Sequence, residues 1–135
     1  MTLCKKMSYD IEVLELACAT YHLPFVRISI DEIEITLAPD CFLQFANLPD
    51  EDDTYVGFKG TPWHSHGNVM FMTSTNTCIE CSEIEIIELI AAGILLIVTQ
   101  LQAGELKDRW LSHREEPLDL RDLQPNDELR IKQRA

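Results

Sequence analysis

Apolar residues along the chain recur first with a helical spacing and then with a spacing of two. Ile11, Leu14, Cys18 and Tyr21 fall at i, i+3, i+7 and i+10, one face of a first helix. Ser8 is placed to cap it, and Asp10 and Glu12 in its first turn complement the helix macrodipole. His22 lies in the last turn and Pro24 stops the helix. From Phe25 the period shortens. Val26, Ile28 and Ile30 alternate with polar positions, and Ile33, Ile35 and Leu37 do the same after a break of phase. A two-residue loop at Asp31-Glu32 would pair Ile30 with Ile33 and put both apolar sets on one face. Asp-Glu is not a favoured primed-turn pair, so a single bulged strand stays open as an alternative.

Further strands are expected at Cys41–Phe45 and, after the acidic loop Asp50-Glu51-Asp52-Asp53, at Thr54–Phe58. Ser82-x-x-Glu85 is a capping box that opens a second helix over Glu83–Ala92, with Gly93 as its stop. Ile94–Val98 is a continuous apolar run rich in β-branched residues, the pattern of a central strand. Ala103-Gly104 turns the chain into Leu106–Leu111, where Leu106 and Trp110 share a face, and Pro125-Asn126 precedes a last strand at Glu128–Lys132. The order α-β-β-β-β-α-β-β-β, with short links, predicts an α+β fold: a mainly antiparallel sheet carrying two helices, one domain over 1–135 with a flexible stretch at 1–7.

Composition sharpens this. The chain has 135 residues, 46% of them hydrophobic, which suits a folded core rather than a disordered acidic chain. It carries 23 acidic and 11 basic side chains, a formal net charge of −12. The surplus is uneven. Residues 7–100 hold 15 acids against Arg27 and Lys59, whereas residues 101–135 hold eight acids and seven bases. Such a chain lacks the basic footprint that nucleic-acid or anionic-membrane binding requires. The longest apolar stretch, Leu89 to Val98, contains Gly93 and is about half a membrane span. Lys5 and Lys6 are followed by Met7-Ser8-Tyr9-Asp10 rather than an apolar run, so no secretory signal is expected. The five cysteines, Cys4, Cys18, Cys41, Cys78 and Cys81, are odd in number and scattered, so a cytoplasmic location is expected, with Cys18 and Cys41 as small core residues.

One segment has the residue types of a metal site. His64 and His66 are two apart, so on a strand both imidazoles point the same way, and Cys78 and Cys81 have knuckle spacing. Together they make a candidate tetrahedral zinc site, the alternative to a chain with no cofactor. The other arrangement packs Trp63 and one His against the sheet and leaves the cysteines free at a helix start, where the dipole would favour a thiolate. His64-Ser-His66 followed by Ser74 also resembles the His-x-His…Ser…Asp signature of JAMM-type zinc metallopeptidases. The resemblance implies zinc on the two His, an oxyanion-supporting Ser74 and a general base at Glu32 or Glu34. Thr77, however, stands where that family has its ligand Asp, and Gly67 replaces its Pro. Glycine-rich nucleotide loops, the nucleophile elbow and the zinc-deaminase signature are absent.

The charge suggests a different role. Clustered carboxylates can steer and hold a basic protein. The run Gly60-Thr-Pro-Trp-His-Ser-His-Gly67, the Glu-rich second helix and Glu128-Leu-Arg-Ile131 resemble the small, acidic, cytosolic α+β immunity proteins that bacteria pair with polymorphic or contact-dependent toxins. That resemblance implies a non-enzymatic protein that neutralises a toxin or other basic partner by direct binding. The candidate contact residues are Glu32, Glu34, Asp50, Glu51, Asp52 and Asp53. Trp63 joins them as an aromatic anchor if it is exposed and belongs to the core if it is not. An unpaired edge strand would also allow a homodimer.

Overall fold

The computed structural model describes residues 8–73, 75–116 and 124–134. The fold is α+β, built from two helices and antiparallel sheets. Helix α1 spans Ile11–Thr20 and α2 spans Glu83–Ala91. Strands β1 (Phe25–Ser29), β2 (Glu32–Ala38), β3 (Cys41–Leu48), β4 (Asp53–Phe58) and β5 (His64–Ser65) form a five-stranded meander in sequence order. Strands β6 (Val69–Met72) and β7 (Cys78–Cys81) make a separate hairpin, and β8 (Leu95–Gln102) lies between β9 (Glu105–His113) and β10 (Asp127–Lys132). The stretch expected at 1–7 lies outside the described residues.

Alternation along β2 and β3 decides where the core sits. Ile33, Ile35 and Leu37 on β2 and Leu43 and Phe45 on β3 are buried, and the pairs Ile33–Phe45 and Ile35–Leu43 stand directly opposite each other. Val56 and Phe58 extend the same face on β4. Helix α1 packs on this face and against α2, which also meets β7 and β8. The buried apolar residues of the helices, Ile11, Leu14 and Cys18 on α1 and Ile86, Ile87 and Ile90 on α2, complete one cluster. The expected helical face is therefore the core face, although Tyr21 at its end stays half-buried.

Caps fix both helices. Asp10, rather than Ser8, is the N-cap of α1, with Oδ1 accepting from the Val13 N–H at 3.1 Å. The capping box of α2 forms as its sequence predicts, Ser82 accepting from the Glu85 N–H while Glu85 accepts from the Ser82 N–H. Gly93 then follows in the left-handed region at φ +73, where a side chain would meet Gln133. Ala103 (φ +52) and Gly104 (φ +82) form a two-residue loop with both residues left-handed, the primed turn that suits a tight hairpin from β8 to β9.

The β1–β2 hairpin corrects the expected register. The loop is Ile30-Asp31, and Arg27 stands opposite Ile33 while Val26 stands opposite Glu34. Val26, Ile28 and Ile30 are accordingly 59%, 50% and 80% exposed, on the outside rather than in the core. The two-residue loop at Ile30-Asp31, one position earlier than expected, sets this phase and turns Arg27 to the helix side, where its guanidinium pairs with Glu15. A one-residue choice of register moves every side chain to the other face. Three strands inside 64–81, β5, β6 and β7, were also not expected. No helix among the described residues is long and apolar enough to cross a membrane.

These assignments predict that Ile33→Ala lowers unfolding stability by about 2–5 kcal/mol, the usual cost of truncating a core aliphatic. Ile28→Thr, on the exposed strand, changes it by less than about 0.5 kcal/mol. Urea unfolding of the two variants checks the register directly.

Candidate functional site

The meander has two ends, and the acids collect at one of them. The β1–β2 loop and the β3–β4 connection lie side by side, because the Asn47 N–H donates to the Asp31 carbonyl at 2.8 Å. Pro49–Glu51 form a short 3-10 turn there, and Asp52 continues it in the left-handed region. Glu32 begins β2 at this same end and shares a row with Ala46 and Tyr55. The structure thus brings Glu32 together with Asp50, Glu51, Asp52 and Asp53, and adds Asp31 to them.

The six acids expected from sequence divide by their partners. Glu34 accepts from Gln44 Nε2 at 3.1 Å and lies 3.6 Å from Lys59 Nζ. Asp53 accepts from the Thr54 N–H and lies 3.5 Å from His66 Nδ1. Among the described residues, the side chains of Glu32, Asp50, Glu51 and Asp52 meet no cation. Arg27, five residues before Glu32, is committed to Glu15, and Lys59, seven after Asp52, lies on Glu34. Of these six, the four without a described cation are therefore at the loop end, with exposed Ile30 at its border. An open concavity lined by Asp10, Glu12, Arg27 and Ile30 adjoins it. Apolar surface rimmed by charge is the usual anatomy of a transient protein interface.

Trp63 does not serve as an exposed anchor. It is half-buried against Phe58, with ring centroids 6.1 Å apart, and its backbone N–H donates to Asp108 Oδ1. The exposed aromatic group is its neighbour His64, stacked on Tyr55 at 5.4 Å. Gly57 makes room for this pair, since a Cβ there would stand 2.7 Å from Tyr55 Oη and 2.8 Å from the Trp63 carbonyl. Tyr55 and Asp31 are the surface residues that sequence reasoning missed. Alternation along β4, with Thr54 and Val56 buried, was the available signal for Tyr55.

The zinc set is not assembled. His64 and His66 lie close, their rings edge to face at 5.1 Å. Cys78 and Cys81 instead sit on β7, where a spacing of three sends them to opposite faces: Cys81 is buried and Cys78 exposed. Among the described residues no three His, Cys, Asp or Glu side chains are placed to hold a metal ion. Nor is Cys81 a thiolate at a helix start, for burial first, and then Glu85 and Glu80, push its thiol up to about 11. Glu34 lies three strands from His64 along one row, about 14 Å of backbone separation, too far for the general base of the JAMM pattern. Ser74 of that pattern lies outside the described residues.

A polar seam positions the acidic end. Asn47 Oδ1 accepts from the Tyr9 N–H at 2.6 Å, and its Nδ2 donates to the Tyr9 carbonyl at 3.0 Å. The Tyr9 hydroxyl donates to the Gly67 carbonyl, while the Gly67 N–H donates to Thr54 Oγ1, each at 2.6 Å. His66 Nδ1 reaches the Thr54 carbonyl. Burial pushes the Tyr9 phenol up to about 12, against the lowering effect of Thr54 and with Glu83 and Asp53 adding to the rise.

A raised pKa has a defined linkage to stability. Tyr9 would ionise near 10 in the unfolded chain and only near 12 in the fold. Its contribution is fully present below pH 10 and is lost as pH rises toward 12. The urea midpoint should therefore fall steadily across that window, and the fall should be shallower in Tyr9→Phe even though that variant starts lower. Thiol labelling near pH 8 in native conditions should modify Cys78 and spare Cys81, with Cys81 reacting on addition of denaturant.

Compared with known proteins, the chain matches no family model, no curated protein and no solved structure.

Proposed function

We propose that the chain is a non-enzymatic binding protein that takes a basic protein partner on the loop end of its five-stranded sheet, in the manner of a bacterial immunity protein. The observation that carries this reading is the convergence of Glu32, Asp50, Glu51 and Asp52, none of them neutralised by a described cation, beside the exposed aliphatic residues of β1. Carboxylates in this state lose little by meeting lysines and arginines, and they accelerate encounter at low salt. Val26, Ile28 and Ile30 supply the apolar contact that charge alone does not. A toxin or other enzyme whose active groove is basic has the matching chemistry. The cytoplasm is the compartment we assign, because Cys18, Cys41 and Cys81 are buried free thiols and Cys78 is an exposed one, a pattern suited to reducing conditions.

In-cell cross-linking of the tagged protein followed by mass spectrometry tests this. A basic protein should be captured through residues 30–53, and its recovery at 50 mM salt should drop at least tenfold with Asp50→Lys and Asp52→Lys together. Both residues are exposed, so the melting temperature of that variant should stay close to the parent's. Capture that is indifferent to this double reversal would end the reading.

A further inference from the structure

At the opposite end of β2 the charge changes sign. Arg109 on β9 and Arg130 on β10 stand directly opposite the two sides of Thr99 on β8, so one row across the three strands reads Arg-Thr-Arg on a single face. Lys132 stands opposite Ile97, one row along on that face. These side chains surround a cavity of about 280 Å³ between the three-stranded sheet and the β2–β3 turn, with Ile97, Leu101 and Pro39 as apolar wall. Three of the seven cations in the last 35 residues therefore face one small space.

Their hydrogen bonding leaves them available. Arg109 donates from Nε to Thr99 Oγ1 at 3.0 Å and from Nη1 to the Asp40 carbonyl at 3.1 Å, which fixes the guanidinium while Nη2 has no described partner. Arg130 uses only Nε, toward the exposed Glu128 at 3.3 Å. Among the described residues no carboxylate pairs with Arg109 or Lys132. Like charges grouped on one face of a sheet oppose folding unless something neutralises them, and among the described carboxylates only Glu128, on Arg130, does so here. The field already reaches the cavity wall, since Arg109 counteracts the upward push of burial on the Cys41 thiol.

We propose that this cavity is a binding site for a small organic oxyanion with a short apolar body, its carboxylate or phosphate held by Arg109, Arg130 and Lys132 and its body against Ile97, Leu101 and Pro39. An anchored arginine fork beside a hydroxyl suits a planar or tetrahedral oxyanion. A concave space with apolar walls and a few converging polar groups is the usual form of a small-molecule site. The site is independent of the acidic end, so each can fail without the other.

Titration of the full chain with hexanoate and with phenyl phosphate, followed by amide chemical shifts, tests the proposal. Saturable shifts are expected at residues 97–101 and 130–132 with one or both, and the stronger of the two identifies the head group. Hexanol should produce no shift there at the same concentration, and inorganic phosphate should bind at least tenfold more weakly than phenyl phosphate. Arg130→Gln with Lys132→Gln, both exposed and so tolerated by the fold, should weaken binding at least tenfold; Arg109→Gln should do the same. No saturable shift from either anion up to 10 mM, equal binding of hexanol, equal binding of inorganic phosphate, or undiminished binding by the double variant would each overturn it.

Discussion

The arrangement of this molecule depends on a buried run of hydrogen bonds that begins at Tyr9. Its backbone N–H and C=O are both answered by one side chain, Asn47, and its hydroxyl by the Gly67 carbonyl. Those contacts join the segment before α1, the third strand and the loop after β5, three parts of the chain far apart in sequence. Asp10, the next residue, caps α1, and its N–H donates to Glu83 Oε2 at the start of α2. The entry of both helices onto the sheet is thus set by polar contacts that are buried at the Tyr9 hydroxyl and part-buried at Asn47 and Glu83, and a buried polar group without its partner costs more than the bond itself contributes. Apolar packing supplies the driving force for burial, and the seam selects which packing.

Much of the framework was legible in the sequence because it follows from local chemistry. The Ser82-x-x-Glu85 box, the stop at Gly93, the turn at Ala103-Gly104 and the alternation of Ile33, Ile35 and Leu37 each need only a few neighbouring residues to be read. The face of β1 was not legible, since alternation gives a strand two equivalent faces and the position of the loop, one residue from the expected one, chooses between them. Asn47 and Thr54 were invisible because nothing in their surroundings announces bonds to residues 9 and 67. The cysteine spacing misled because knuckle geometry presupposes a turn, and the chain from Cys78 to Cys81 is extended.

The acidic site divides along similar lines. Sequence marks the run Asp50–Asp53, and it marks Glu32 and Glu34 as outward positions of a half-buried strand. It does not reveal that hairpin pairing sets Glu32 beside the acidic turn while Glu34 moves up the strand to Gln44 and Lys59. Nor does the near-neutral balance of the last 35 residues suggest a local excess of cations, because among the described acids there only Glu128 pairs with one of the three cavity cations. Asp127, for example, is spent on tying β10 to its neighbours: it accepts from the Gln124 N–H, which does most to hold its carboxyl below the ordinary range, and from Gln100.

Strand β2 runs from Glu32 at the acidic loops to Ala38 at the cationic cavity, about 20 Å in seven residues. The acidic loops and the cationic cavity are thus a pair of opposite charges separated along the principal sheet. A body of uniform charge is drawn toward an oppositely charged surface in any attitude. One with such a pair is also turned as it approaches, so that rotational search is shortened before contact is made. The antiparallel meander, which places every second turn at the same end, is what converts a sequence rich in acids into an object with a front and a back.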